Sequence, residues 1–199
     1  MRLTALAALA ALTACSAPTA DAPIELPGDW TVDSDASSLQ FDTVKNRDIR
    51  ETHTLTGISG WADAYGTIRL ELDMNTVATG IDIRNERMRE HLFETGAHPV
   101  AVISAAFDMD SLDGLTVGQA RTAPLDFSLS LRGVPLDLTT HVAITRLGED
   151  RVRVESTEPV LVHAIALELM DGIDTLQTLA GLDSIERMVP VSFVVEFER

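Results

Sequence analysis

The chain has 199 residues, of which 31 are Asp or Glu and 15 are Lys or Arg, giving a formal net charge of -16 at pH 7. That excess disfavours nucleic acid and anionic membrane surfaces as electrostatic partners. With a single cysteine the chain forms no internal disulfide, so its stability must come from a packed core.

Residues 1–14, MRLTALAALAALTA, carry one charge, Arg2, ahead of an unbroken Ala/Leu/Thr run, which is the layout of a secretory signal segment. The run is too short to cross a bilayer as a mature helix. It ends in LTAC, and Cys15 is the sole cysteine. This tetrapeptide resembles a bacterial lipobox, which implies that Cys15 is acylated and becomes the mature N-terminus. Ser16 resembles the outer-membrane sorting pattern. The expected location is therefore the periplasmic side of the envelope, lipid-anchored to the outer membrane. Residues 15–28 read as the lipidated cysteine and a proline-rich tether, and residues 29–199 as one domain.

Most of that domain alternates with period two, so each segment presents one set of side chains to each face of a sheet. Ile68, Leu70, Leu72 and Met74 alternate with Thr67, Arg69, Glu71 and Asp73. Ala101, Ile103, Ala105, Phe107 and Met109 line one side of the next segment. Leu125, Phe127, Leu129 and Leu131 line another, and Val191, Phe193, Val195 and Phe197 close the chain. SLQF, HVAIT, RVRVES and the doubly apolar PVLVHAIALEL add further strands. About eight strands separated by turn residues predict a mainly β fold, an antiparallel barrel or sandwich. Two helices are expected: NERMREHLF from an Asn85 N-cap, with Met88 and Leu92 on one face, and DTLQTLAGLDSI after Asp174, where Gly181 is unfavourable. DMDSLDG lacks the spacing of a calcium loop and reads as a solvated hairpin.

At the start of the domain stands Trp30-x-Val32-Asp33-x-x-x-Ser37-x-Leu39-x-Phe41. A glycine-containing hairpin near Gly57 to Gly66 follows, then LDMNTVATGIDIRNERMREHLF, HPVAVISAAF, LSLRGVPLDL and the closing MVPVSFVVEF. This ordered set resembles the YceI-like family of exported bacterial lipid- or polyisoprenoid-binding proteins, over Trp30 to Phe197. The resemblance implies an extended lipocalin-like antiparallel β-barrel with a hydrophobic cavity and associated helices, and it transfers no catalytic residue. Two positions depart from the family pattern. Ile103 stands where an aromatic is common, and Met88 where an acidic residue commonly follows the helix arginine.

The partner expected from this likeness is an apolar lipid: an isoprenoid, a quinone-like molecule or a fatty acyl chain. Burying about twenty methylene-sized groups at roughly 0.8 kcal/mol each gives a gross term of about 16 kcal/mol, before ordering and association costs. Candidate lining residues are Phe41, Leu70, Leu72, Ile103, Phe107, Phe127, Leu129, Leu131, Val142, Ile144 and Phe193. Arg84, Arg87 and His91 share a helical face and are candidates for a phosphate or carboxylate head group. Asp82, Glu86, Glu90 and Glu94 stand close by in sequence, so surface ion pairing is the favoured reading of those cations.

The five histidines form no metal-ligand spacing, and no cofactor, phosphate-loop or nucleophile-elbow signature is present. The leading expectation is non-catalytic lipid binding, shielding or transport in the cell envelope, with a membrane reached through the lipid anchor and a homodimer allowed. The alternatives are an envelope scaffold with a solid barrel and, less favoured, a lipid-acting enzyme.

Overall fold

In a computed structural model the described residues are 30–199. The signal segment, Cys15 and the tether lie outside them.

Ten strands make one antiparallel sheet: β1 (Trp30–Lys45), β2 (Ile49–Leu55), β3 (Ile58–Ala62), β4 (Thr67–Asp73), β5 (Val100–Ala106), β6 (Ala120–Leu131), β7 (Val134–Arg146), β8 (Arg151–Ser156), β9 (Val160–His163) and β10 (Met188–Glu198). Pairing of β1 with β10, from Thr31↔Glu198 to Phe41↔Val191, closes the sheet into an eight-stranded antiparallel barrel. Ten segments make eight staves because two staves are broken. β3 and then β2 serve the same side of β1, while β8 and then β9 serve the same side of β10. The lipocalin-like barrel expected from the sequence is the observed fold.

The opening motif has a physical basis in a bulge. The register of β1 against β10 slips between Asp33 and Ser38. Asp33 Oδ1 accepts hydrogen bonds from the amides of Asp35 (3.1 Å) and Ala36 (3.2 Å), while the buried Ser37 hydroxyl donates to the Asp33 carbonyl at 2.7 Å. Ser37 Oγ also accepts from the Glu196 amide at 3.0 Å, stitching the bulge back to β10. Such a bulge bends the strand and resets which residues face inward. Downstream, Leu39, Phe41, Thr43 and Lys45 point to one cavity.

Two helices cover one end. α1 (Asp82–Arg87) runs directly into a π-helical turn, Met88–Leu92, and α2 spans Met170–Ala180. α1 starts three residues before the expected cap. Asn85 does not cap it; its side-chain oxygen instead accepts from the amide (2.9 Å) and hydroxyl (2.6 Å) of Thr79, stapling the preceding loop to the helix. α2 likewise begins earlier than Asp174. Gly181, unfavourable inside a helix, is its terminator: at φ 62 it donates to Thr178 O, while Leu182 N reaches Gln177 O, the paired bonds of a Schellman cap.

Three local expectations are corrected. The strand expected through PVLVHAIALEL stops at His163; a 3-10 turn, Ala164–Leu167, and a left-handed Glu168 redirect the chain into α2. Its two apolar faces arise because Ala164, Leu167 and Leu169 pack beneath the barrel end instead of lying flat in a sheet. β5 ends at Ala106, before Phe107 and Met109. DMDSLDG is a 3-10 turn capped by Asp108, and it buries Leu112.

The interior divides into two clusters. Trp30, Leu70, Leu112, Leu115, Val142, Ile144, Val195 and Phe197 fill one half. Arg121 and Arg146 close that end by donating to backbone carbonyls of the turn, Arg121 to Ser111 and to Asp113 (3.1 Å), Arg146 to Leu115 (3.3 Å). The other cluster, around Phe41, Leu55, Leu72, Met88, Leu92, Leu131 and Ile173, surrounds a void.

Candidate functional site: a one-ended apolar cavity

The void has a volume of about 470 Å³ and is walled by both helices and by the barrel strands of its half. That falls within the range of small-molecule sites, roughly 300–1,000 Å³. Its wall is almost wholly aliphatic and aromatic. Polar side chains enter only as Thr43, Lys45, Glu51, His53, Arg84, Arg87 and Glu186. Ile81 and Ile83 line it and are also 48% and 53% exposed, so the cavity opens beside the start of α1.

Of the eleven residues expected to line a ligand, Phe41, Leu72, Ile103, Phe127, Leu129, Leu131 and Phe193 do border the void. Leu70, Phe107, Val142 and Ile144 belong to the filled half. Period two sorts inward from outward but carries no information about position along the barrel axis, so the sequence could not separate these groups. The helix lining was equally hidden. Met88, Leu92, Phe93, Ile173 and Leu176 border the void because the helices lie across the barrel end. Ile103 and Met88, which depart from the family pattern, are both in the wall, and each makes it more aliphatic.

The basic stretch separates. Arg84 and Arg87 border the cavity, whereas His91 does not and faces Glu90 at 3.7 Å. The π-helical turn between Arg87 and His91 is wider than an α-helical one, which rephases the residues after it. Arg84 is ion-paired, yet with none of the sequence-adjacent acids: its Nη1 donates to Glu51 on β2 at 2.8 Å and its Nη2 to the Thr79 carbonyl at 2.5 Å. Lys45 on β1 reaches the same Glu51 oxygen at 2.8 Å. One carboxylate thus serves two cations at the rim. Arg87 donates to the Leu179 carbonyl of α2 at 3.1 Å, tying one helix to the other.

Below the rim lies His53, 3% exposed, edge-on to Phe41 with ring centroids 5.3 Å apart. One ring nitrogen hydrogen-bonds Thr43 Oγ1 at 3.0 Å. Burial foremost, then the positive charge of Arg84, pushes its pKa below the ordinary 6.5, so the ring is neutral near pH 7. Glu51 is shifted down from its usual range, first by the hydrogen bond from Lys45 and with Arg84 assisting, against the opposing effect of burial. Lys45, Glu51 and His53 were missed from sequence, although continuing the inward parity Leu39, Phe41, Thr43, Lys45 through the hairpin pairs Phe41↔His53 and Thr43↔Glu51 would have found them. Among the described residues, no three His, Cys, Asp or Glu side chains gather as a metal site.

One solved structure, a polyisoprenoid-binding domain from Saccharophagus degradans implicated in plant cell wall breakdown, is 38% identical, with a TM-score of 0.82; the match covers 85% of this chain and 97% of that one. Burkholderia cenocepacia BcnA shares the fold at 13% identity, a TM-score of 0.62 and coverage of 83% and 98%. A mutant CJ YCEI protein made for nanotechnology applications shares it at 10% identity and a TM-score of 0.54, over 74% of this chain and 84% of that one. No curated protein matches significantly. Residues 30–197, which contain the bulge motif, the closed barrel and both helices over its hollow end, match the YceI-like domain, and the chain belongs to that family.

Proposed function

We propose that the protein is a non-catalytic lipid-binding protein of the bacterial cell envelope. It takes an isoprenoid, quinone-like or fatty acyl chain tail-first into the barrel, with the polar end at the rim formed by Lys45, Glu51 and Arg84. The observation that carries this is the about 470 Å³ apolar void, open at one polar-rimmed end. Transfer of such a chain from water into an aliphatic wall is favourable by roughly 0.8 kcal/mol per methylene, with few directional contacts needed. The polyisoprenoid-binding relative at 38% identity supports the same ligand class. A scaffold with a solid barrel accounts for the filled half of the interior but not for the hollow one.

Export and acylation at Cys15 would hold the protein to the outer membrane on its periplasmic side, where it would shield or carry the lipid. A Cys15→Ala variant is expected to shift from the membrane to the soluble fraction; an unchanged distribution contradicts the anchor.

Ligand binding is tested at Ile103, which borders the void and packs on both clusters. Ile103→Trp places its extra bulk into open space and should leave the barrel folded by circular dichroism. Affinity for a fluorescent prenyl or acyl probe should fall at least about ten-fold, the equivalent of ~1.4 kcal/mol. A folded variant that binds as tightly as wild type rules out the void as the site.

A further inference from the structure

Ile81 and Ile83 belong to two surfaces at once, since they line the cavity while remaining 48% and 53% exposed. They are not isolated. Leu179 of α2 is 43% exposed, and its carbonyl accepts the Arg87 hydrogen bond that links the helices. Ile49, 47% exposed, pairs with the cavity-lining Lys45 at the tip of the β1–β2 hairpin. That hairpin is tied to the segment after α2 by Asn46 N donating to Ser184 O at 2.9 Å, and to the approach of α1 by the Thr54↔Ala78 bridge. Three separate elements therefore bring large apolar side chains to the lip of one opening. Single exposed apolar residues need no explanation, but a set drawn from three elements beside one opening, two of them running into an apolar cavity, does.

Both ends of the described chain lie at the far pole. Trp30 sits in the filled half, with the Arg199 guanidinium 5.1 Å over its ring, and Arg199 also pairs with Asp150 at 2.9 Å. Whatever precedes Trp30 is attached away from the mouth. Charge around the lip is mixed: Lys45, Arg84 and Arg87 line the cavity with Glu51 and Glu186, and Arg50 pairs with Asp42 on the same hairpin at 3.8 Å. Neither that balance nor the net charge of -16 favours a strongly anionic surface. A zwitterionic bilayer suits both the apolar set and the mixed charge.

We propose that the set of Ile49, Ile81, Ile83 and Leu179 is a landing surface that seats the mouth on a zwitterionic lipid bilayer. An apolar chain then passes between membrane and cavity without being hydrated on the way. This rests on the lipid-binding reading above and adds to it the surface through which exchange occurs.

The test is co-flotation of residues 30–199, which close and pack as one barrel, with phosphatidylcholine vesicles. Wild type should float, and raising the salt concentration should not release it, because apolar insertion is not screened. The double variant Ile49→Asp with Leu179→Asp alters the lip outside the cavity wall. It should lose about ten-fold in vesicle binding while its probe affinity in detergent solution stays at the wild-type value. Wild-type protein remaining at the bottom of the gradient overturns the proposal, as does a double variant that floats like wild type. Loss of probe binding by wild type in detergent would instead strike the lipid-binding reading itself. Should the double variant misfold, Leu179→Asp alone gives the same readout from α2, and unimpaired flotation of that variant likewise contradicts the proposal.

Discussion

Gly172 is a spatial requirement, with no unusual backbone angle to excuse it. A Cβ built there would stand 2.5 Å from the His91 carbonyl and 3.0 Å from Leu92 Cα, so α2 lies against the π-helical turn backbone to backbone. Gly172→Ala should push the helices apart and cost about 1–3 kcal/mol, read as a lowered unfolding midpoint in urea. A neutral effect would mean that the helices are not packed this way. His53 carries a different consequence. Its folded pKa lies below the ordinary 6.5, so as pH falls past that value the unfolded chain takes up a proton that the native protein refuses. The stability that depends on this neutral ring is complete above about pH 6.5 and declines from there down to the folded pKa. His53→Gln should flatten that part of a stability-against-pH curve measured by urea unfolding. A decline as steep as that of wild type would show that another group is responsible.

Among the elements, the β1–β2 hairpin and α1 work together, because Glu51 from the one holds Arg84 from the other. Glu51→Gln removes the shared carboxylate and leaves Lys45 and Arg84 facing each other at the rim. Stability should fall by about 1 kcal/mol, since both cations are partly solvated. Affinity for a carboxylate- or phosphate-headed chain should rise relative to a neutral-headed chain of equal length, in a competition titration against one probe. An unchanged preference would show that the polar end of the ligand does not sit at the rim.

How much of this was legible depends on the element. The long strands announced themselves through alternation, and their number and turns pointed to an antiparallel barrel or sandwich; closure into a barrel came only from the family resemblance. Helix ends were not legible, because Asn85 and Gly181 are strong signals that serve neighbouring roles: one staples a loop, the other ends a helix. AIALEL could not be told from a strand, since a short apolar run looks the same whether it is pleated or wound. The cavity wall was half legible, because the sequence shows which side of a strand is buried and not whether anything fills the space it faces.

At the scale of the whole molecule, the barrel is two structures end to end. One half is packed around Trp30, Leu115 and Phe197, closed by Arg121 and Arg146, and it supplies the rigid base. The other half gives up packing, and with it the dispersion contacts a filled core would make. The aliphatic wall of this about 470 Å³ void lacks packing partners, so an apolar molecule bound there would stabilise the fold. The most direct test is native mass spectrometry of the protein purified gently from the cells that produce it. A bound species should appear that is apolar, separates from the protein in organic solvent, and lowers the melting temperature when it is removed. Protein that is consistently empty, with a melting temperature unmoved by organic extraction or by added prenyl and acyl chains, would contradict the account.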